Sequence, residues 1–285
     1  MKTSLAALFL TLLAGHASAT LYVYEPFDYT AGVDNLNGQN GGTGFDGAWA
    51  SNGGSPDVQA GSLSYTDAGN RQLVQAGNKG FWDATSPTAV AAGVTSSSFR
   101  TVDVALNAVT GSTIYFSFMG QQTVNSQRAA NFAIFAGTAE AVSVGHGTNF
   151  APNWAAFTGG NGANGAASTV SMLDSSLLVL RIDVNANGDN ERIRLYVNPP
   201  LNAEPGTAQV DFSDRNALAA VGDITRIRPL AGNSNGTLLA APLLVDEIRI
   251  GDTWGDVTPH VVIPEPGTSA LLGLAALRLF RRRRN

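Results

Sequence analysis

The feature that most constrains the fold of this chain is a series of short apolar runs whose side chains alternate with period two. In the run 178–184, Leu178, Leu180 and Ile182 would share one face of a strand, and Arg181 would point to the other face. About eleven such runs are separated by clusters of Gly, Asn, Ser and Thr. The runs span 21–24, 58–65, 71–75, 98–106, 113–118, 131–135, 141–144, 178–184, 193–197, 224–228 and 243–250.

This pattern predicts an all-β fold, with one antiparallel two-sheet sandwich over residues 20–258. No internal repeat or interdomain linker divides that segment. Hydrophobic residues make up 44% of the chain, which is enough for a sizeable core. A helical period is nearly absent, and single helical turns are expected only at 174–178 or 214–220.

The N-terminal segment 1–19 has the pattern of a Sec-type secretory signal peptide. A positively charged start precedes the apolar run 5–13, and Ala17 and Ala19 provide the small residues that signal peptidase accepts. Cleavage after Ala19 would make Thr20 the mature N-terminus. The alternative interpretation is a buried N-terminal helix, so the sequence favours an exported protein with signal peptidase as a processing partner.

The C-terminal segment 259–285 carries three elements in order. The tripeptide Pro264, Glu265 and Pro266 blocks helix continuation, and the stretch 269–280 is apolar enough to predict a short membrane helix. A basic cluster follows, which the positive-inside rule would hold on the cytoplasmic side. The cluster consists of Arg281, Arg282, Arg283 and Arg284.

This order of elements resembles the PEP-CTERM sorting signal of exopolysaccharide-producing Gram-negative bacteria. The resemblance implies that an exosortase-type transpeptidase cleaves near the tripeptide after the chain has been anchored transiently in the inner membrane. The protein would then reach the cell surface or the extracellular space. An ordinary tail anchor, or a basic tail that binds anionic lipid, is the alternative interpretation.

Four segments between the two ends carry a second resemblance. Residues 24–29, 41–49, 195–199 and 245–254 together are similar to exported proteins with a concanavalin A-like, laminin-G-type jelly roll upstream of a PEP-CTERM signal. This resemblance implies a jelly-roll sandwich with a lectin-like architecture. Its motifs are structural signatures, and they name no catalytic residue.

Asp246 is a charged residue in the middle of the last apolar run. It is in phase with Ile248 and Ile250, so we expect its carboxylate to point inward and to need hydrogen-bond partners. A structural role is favoured over a role in ligand binding.

The segment 183–191 imitates the start of a calcium loop, because oxygen-bearing side chains occupy alternating positions. The twelfth position of such a loop should be a bidentate Glu, and here it is Arg194. A hairpin turn is therefore favoured, calcium is kept as the alternative, and no other cofactor is expected. The calcium candidates are Asp183, Asn185, Asn187 and Asp189.

The chain lacks the residue patterns that usually carry catalysis. It has no cysteine, and none of its six Glu residues begins the Glu-x-Asp-x-Glu strand motif of jelly-roll glucanases. The Gly-x-Ser-x-Gly match around Ser234 precedes a strand instead of a helix, and His146 has no acidic neighbour in sequence to orient it. We therefore expect a protein that is not an enzyme.

Recognition would then depend on aromatic and amide side chains. Trp49 and Trp154 could stack on sugar rings with Asn153 beside them, although a tryptophan in such a loop is more often part of a core. Residues 20–263 contain 11 basic and 21 acidic side chains, a formal net charge of −10, which excludes nucleic acid as an expected partner. The sequence thus favours a non-catalytic, lectin-like surface or matrix protein. A carbohydrate-binding module for polysaccharide is the alternative, and a glycoside hydrolase of the same fold ranks third.

Overall fold

The computed structural model describes residues 20–54, 56–83, 95–106, 111–147, 149–159, 164–187, 190–214, 218, 224–232 and 239–264. Within these ranges the chain forms seventeen β-strands and one short helix. The strands are β1 (Leu21–Glu25), β2 (Phe45–Ser51), β3 (Asp57–Gln59), β4 (Arg71–Leu73), β5 (Lys79–Trp82), β6 (Thr95–Leu106), β7 (Thr113–Gln122), β8 (Ala130–Ala136), β9 (Ala139–His146), β10 (Asn153–Thr158), β11 (Asn164–Ser171), β12 (Ser176–Asn187), β13 (Asn190–Val197), β14 (Val210–Asp214), β15 (Ile224–Gly232), β16 (Leu243–Gly251) and β17 (His260–Val262); the helix is α1 (Trp254–Val257).

The strands form two large antiparallel sheets. Sheet A has the order β14-β13-β12-β7-β16-β5-β3, and β1 also pairs with β16. Sheet B has the order β11-β10-β9-β8-β15-β6-β2, and β17 forms a separate two-stranded sheet with β4. The predicted all-β sandwich is therefore confirmed.

The main core lies between sheets A and B. Leu178, Leu180 and Ile182 of β12 all lie in it, as their period-two spacing predicts. Across the sandwich, Phe118 of sheet A stacks on Phe132 of sheet B with ring centroids 4.7 Å apart. Contacts of this kind hold the two sheets face to face.

A second, smaller core covers the outer face of sheet A. Tyr115, Met119 and Tyr196 point away from the main core and pack with Trp254 of α1. The Trp254 ring lies edge-on to Tyr115 and Tyr196, with centroids 6.2 and 5.3 Å away. Thr253 caps α1 with a capping box, since its hydroxyl accepts from the Asp256 N–H. The outer face of sheet A is thus largely occupied by the protein itself.

Several strands were not predicted, namely β2, β5, β10, β11, β14 and β17. β11 shows why, because its sequence Asn-Gly-Ala-Ala-Ser-Thr-Val-Ser has no apolar alternation and it forms by pairing with β10. The apolar run 58–65 contributes only β3 at its start. The helical turn expected at 174–178 is absent, because β12 begins there at Ser176, and 214–220 lies largely outside the described residues.

The folded part extends beyond the predicted boundary at residue 258. β17 pairs with β4, and the Ile263 N–H donates to the Asn70 carbonyl at 2.8 Å. The boundary is therefore corrected to about residue 263, because backbone pairing continues that far. Thr20 and Pro264 are described and exposed, whereas the remaining processing residues lie outside the described residues. These are Ala17, Ala19, Glu265, Pro266, Arg281, Arg282, Arg283 and Arg284.

No helix in the described ranges has the length and apolar character needed to cross a membrane. The signal helix and the short membrane helix expected from the sequence lie in segments 1–19 and 265–285, outside those ranges.

Candidate functional site

The outer face of sheet B carries side chains that belong to neither core. On β8, Ala130, Phe132 and Ile134 point into the main core, so Asn131 and Ala133 point to the outer face. Strand register then identifies their neighbours across the sheet. One row contains Phe157 (β10), Ser143 (β9), Ala133 (β8) and Arg228 (β15), and a second contains Glu140 (β9), Phe135 (β8), Arg226 (β15) and Thr101 (β6).

Small residues form a stripe next to these rows. Ala155 of β10 and Gly145 of β9 are direct partners in the sheet, and Ala167 of β11 pairs with Ala155. Gly145 has φ +132°, and a Cβ there would overlap the Ala130 carbonyl oxygen. A larger residue is therefore excluded at Gly145, and the stripe stays low between bulkier side chains.

Arg226 packs against two aromatic rings. Its guanidinium carbon lies 4.4 Å from the Phe99 ring centroid and 4.5 Å from the Phe135 centroid. The two rings meet edge to face at 5.6 Å. No described residue accepts a hydrogen bond from the Arg226 side chain, and its Nε is buried without a partner. The rings thus hold the cation without using its N–H groups.

Arg228 lies two residues further along β15 on the same face, and its charge is compensated. Its Nη2 donates to Glu140 Oε2 at 2.7 Å, and the Ser143 hydroxyl donates to Glu140 Oε1. The guanidinium carbon also lies 5.0 Å from the Phe135 centroid. Glu140 is therefore engaged by two donors and is not free to act as a base.

Asn131 completes the face between Gly145 and Leu230, its partners on β9 and β15. Its side chain is 5% exposed, and its Oδ1 atom has no hydrogen-bond partner in the structure. A buried amide oxygen without a donor costs about 1–3 kcal/mol, so native proteins rarely leave one unsatisfied. Asn131 Oδ1 is therefore a buried acceptor that lacks a donor in the structure.

Taken together, the face offers an acceptor in Asn131 and donors in Arg226, whereas guanidinium groups already pack over the rings of Phe99 and Phe135. Such a set can bind a polar ligand that has hydroxyl groups and negatively charged oxygens. The carboxylate of Asp46 lies at the exposed edge, opposite Thr101. With Glu140 already paired, the described part of this face holds no pair of free carboxylates of the kind that glycoside hydrolysis requires.

The tryptophans predicted to stack on sugar do not reach the surface. Trp49 is 1% exposed, stacks on Phe27 and donates from Nε1 to Glu25 Oε2 at 3.0 Å. Trp154 is fully buried in the main core, 6.1 Å from the Phe118 ring. Both rings lie on the inner face of sheet B, so the favoured interpretation that they belong to the core is confirmed, and the alternative of a ligand platform is corrected. Asn153, beside Trp154, donates from Nδ2 to the Ser168 carbonyl at 3.1 Å.

The segment proposed to bind calcium forms a hairpin between β12 and β13, in which Asn187 pairs with Asn190. The Asp183 carboxylate accepts from Arg181 Nε at 2.8 Å, from the Thr113 hydroxyl at 2.8 Å, and from Arg194. Burial raises the pKa of Asp183, but these three donors outweigh it and hold the pKa below its usual range. Such an arrangement disfavours a cation at Asp183.

Of the remaining calcium candidates, Asn185 is the one whose side chain lies within the described part of the structure. Asn185 has a positive φ of 50°, as in a tight turn, and Asp189 lies outside the described residues. No cluster of three or more His, Cys, Asp or Glu side chains occurs within the described ranges.

The motif Tyr24-Glu25-Pro26-Phe27-Asp28-Tyr29 contributes to a buried ion-pair network. Glu25 accepts from Arg100, from the Tyr29 hydroxyl at 2.8 Å and from Trp49. Burial, together with the Glu25 charge, raises the pKa of Tyr29 to about 12. Tyr24, the first residue of the motif, donates to Glu247 Oε2 at 3.1 Å.

Asp246 and Glu247 of β16 are both fully buried. Glu247 has φ +54° and lies in a β-bulge, so Asp246 is out of phase with Ile248 and points to the outer face of sheet A. The expectation of a shared inward phase is therefore corrected, whereas the need for partners is met by the Leu63 N–H at 2.7 Å. Burial, together with the Glu247 charge, raises the pKa of Asp246 to about 8.

His146 is fully buried, with Nδ1 2.7 Å from the Gly147 carbonyl and Nε2 3.3 Å from Gln122 Oε1. Burial lowers its pKa below the usual value. Neither contact comes from an acid or a nucleophile. Ser234 lies outside the described residues.

The candidate residues on the outer face of sheet B could not be found from the sequence, for a specific reason. The run 224–228 was predicted as a strand, and the alternation of Arg226 and Arg228 around Ile227 does place both arginines on one face. Nothing in the local pattern, however, brings Asn131 or Phe99 to that face, because strands β6 and β8 reach β15 only through tertiary pairing.

Comparisons with known proteins show similarity in structure only. No protein-family model matches the chain, and no curated protein matches it in sequence. An endo-1,3-beta-glucanase from Streptomyces sioyaensis is similar with a TM-score of 0.45 and 11% identity, over 82% of this chain and 96% of that chain. The globular domain of T. cruzi calreticulin is similar with a TM-score of 0.44 and 10% identity, over 82% of this chain and 88% of that chain. Domain 4 of AbnA, a GH43 extracellular arabinanase from Geobacillus stearothermophilus, is similar with a TM-score of 0.44 and 14% identity. The match covers 84% of this chain and 97% of that chain. Because every TM-score is below 0.5, these similarities carry no argument about function.

Proposed function

We propose that this protein is an exported, non-catalytic β-sandwich of the concanavalin A-like jelly-roll class that binds polysaccharide through the outer face of sheet B. The observation that carries the proposal is the buried, unpartnered Oδ1 of Asn131 among small residues on that face. A sugar hydroxyl is a donor of the size and chemistry that this acceptor lacks.

The surroundings of Asn131 support a polysaccharide more than a compact solute. The stripe of Gly145, Ala155 and Ala167 crosses three neighbouring strands. Gly145 and Ala155 are buried and Ala167 is exposed, so a ligand would reach the stripe from its β11 end. At one side of the stripe, Phe99 and Phe135 hold the guanidinium of Arg226 in place. An amide acceptor and a guanidinium donor together suit the hydroxyl-rich edge of a sugar ring.

The absence of catalysis is part of the proposal. Glu140 is paired with Arg228 and Ser143, and His146 is buried with a carbonyl and an amide as its partners.

Export and sorting are proposed from the two ends of the chain. Thr20 is exposed at the start of β1, and Pro264 is exposed just after β17, so both proposed cleavage regions would adjoin the surface of the folded part. Signal peptidase and an exosortase-type transpeptidase would act there in turn, with a transient anchor in the inner membrane of a Gram-negative bacterium. The mature protein would remain at the cell surface or leave the cell.

The binding proposal is tested by screening the full-length protein on a glycan array and by affinity electrophoresis, each with calcium and with chelator. Asn131→Leu should lose at least about tenfold in affinity, because it removes the acceptor and fills the face. Arg192→Ala, on the outer side of sheet A, is the matched control and should bind as the wild type does. Equal binding by Asn131→Leu and wild type, with both folded, would contradict the proposal. Product release from the bound polysaccharide would show that the protein is an enzyme.

A further inference from the structure

Arg226 differs from the arginines around it in having no carboxylate partner among the described residues. Seven other arginines form ion pairs, even though acidic side chains outnumber basic ones in residues 20–263 by 21 to 11. These are Arg71, Arg100, Arg181, Arg192, Arg194, Arg228 and Arg249. A half-buried cation left unpaired in an acidic protein requires an explanation.

The position of Arg226 suits an anion supplied by a ligand. Phe99 and Phe135 restrict the guanidinium through ring contacts, so the entropy cost of ordering this side chain is already met in the free protein. The Nε atom is buried, so the two Nη groups are the donors that a ligand could reach, and no described residue accepts a hydrogen bond from them. A planar guanidinium with free N–H groups matches the two oxygens of a carboxylate, or of a sulfate, in a bidentate contact.

Neighbouring charges do not neutralise this position. Glu140, in the same row, is engaged by Arg228 and by the Ser143 hydroxyl. Asp46 lies on β2, two strands away from Arg226 with Thr101 of β6 between them, and is exposed to solvent. Arg226 therefore keeps one positive charge that no described carboxylate pairs, whereas the charge of Arg228 is compensated by Glu140 and the carboxylates of Asp46 and Asp103 are exposed on the neighbouring strands.

We infer that the polysaccharide is acidic, and that Arg226 binds its anionic group while Asn131 accepts from a hydroxyl group of the same chain. This inference rests on the proposed function, and it names the class of ligand as a polymer with carboxylate groups, that is, a uronic acid polysaccharide. Arg226 provides charge selection, whereas Asn131 contributes equally to neutral and acidic polymers.

The test compares polygalacturonate with the same polymer fully methyl-esterified, which removes the charge and keeps the backbone. Dextran sulfate and dextran form a second pair that separates sulfate from carboxylate. The full-length protein should bind polygalacturonate roughly tenfold to hundredfold more tightly than the ester, and Arg226→Gln should abolish that preference. Arg226→Lys keeps the positive charge but loses the planar guanidinium that makes a bidentate contact, so it should retain only part of the preference for polygalacturonate over the ester. Arg192→Gln is the control, since its ion pair with Asp211 lies on the opposite sheet.

Thermal unfolding of each variant shows whether it is folded before its binding is measured. Equal affinity of the wild type for the charged and esterified polymers would overturn the inference while leaving the proposed function standing. Preference for dextran sulfate over polygalacturonate would overturn the assignment of carboxylate as the ligand group. The wild type could also bind none of the four polymers and yet bind another, neutral glycan that Asn131→Leu no longer binds. That result would overturn the inference of an acidic ligand and leave the proposed function standing. Failure to bind any glycan would remove the proposed function as well.

Discussion

Inside the sandwich, the guanidinium of Arg100 pairs with the carboxylate of Glu25, and each side chain is at most 1% exposed. Glu25 lies at the end of β1 in sheet A, and Arg100 lies on β6 in sheet B, so this ion pair connects the two sheets. Trp49 and Tyr29 also donate to Glu25. The buried charge is therefore surrounded by partners, which is the condition under which such a pair is tolerated.

Breaking this pair from one side should destabilise the fold strongly. Arg100→Met leaves the Glu25 carboxylate buried without its cation, and we expect the free energy of unfolding to fall by about 3–5 kcal/mol. Urea unfolding followed by tryptophan fluorescence measures the change. The double variant Glu25→Gln/Arg100→Met should lose less than the sum of the two single variants. Additive losses would show that the two side chains do not interact energetically.

The buried Asp246 should make stability depend on pH. Its pKa is raised to about 8, first by burial and then by the charge of Glu247, whereas an Asp in the unfolded chain titrates near its usual value. Between about pH 4 and pH 8 the folded chain keeps a proton that the unfolded chain has lost. Stability from this group therefore falls as the pH rises through that window, with a slope of up to ~1.4 kcal/mol per pH unit.

Asp246→Asn removes this titration, so the stability of wild type relative to the variant should fall steadily between pH 5 and pH 8. Urea unfolding of both proteins at several pH values measures the difference in the free energy of unfolding. The lowered pKa of His146 makes stability rise with pH, and this contribution cancels in the difference because both proteins contain His146. Asp211→Asn is the control, because Arg192 lowers the pKa of Asp211 and keeps it ionised across the window. A difference that is constant with pH would show that Asp246 is ionised in the fold.

The C-terminal boundary can be tested by comparing chains that end at residue 258 and at residue 263. The longer chain retains β17 and the hydrogen bond from Ile263 to Asn70, so we expect it to melt several degrees higher. Differential scanning calorimetry of the two chains measures the shift. A chain that ends at residue 264 is the control and should melt with the longer one. Identical melting of the chains ending at 258 and 263 would show that β17 contributes nothing to stability.

The sorting proposal predicts a processing defect when the basic cluster is removed. Replacing all four residues Arg281 to Arg284 with Ser should weaken orientation at the inner membrane and leave full-length precursor or misrouted protein. Mass spectrometry and cell fractionation in a host that has the sorting enzyme measure the outcome. Replacing the four arginines with Lys keeps the charge and should preserve processing. Unchanged mature mass and location in the Ser variant would contradict the sorting proposal.

The sequence alone was sufficient for those parts of the fold in which a strand buries one face. Period-two alternation predicts which side chains enter the core, because a strand that buries one face has apolar residues at every second position. Leu178 and Leu180 of β12, and Phe116 and Phe118 of β7, follow this pattern. The two-sheet antiparallel sandwich followed from the number and spacing of such runs. The change in alternation after Asp246 could not be predicted from the sequence, because a β-bulge inserts one residue into the strand without a local sequence signal.

Only the tertiary structure decided which polar and aromatic residues share a surface. Trp49 and Trp154 looked accessible in glycine-rich and loop sequence, yet both are in the core, because the strands on which they lie place them on the inner face of sheet B. Asn131 and Arg226 are 95 positions apart in sequence and lie on one outer face, because β8 pairs with β15; the partner of Arg226 is four residues from Asn131 along β8. Alternation determines the side of a strand on which a residue lies. Which residues lie beside it on that side depends on the pairing of strands that are far apart in sequence, and this pairing is determined by the packing of the whole sandwich.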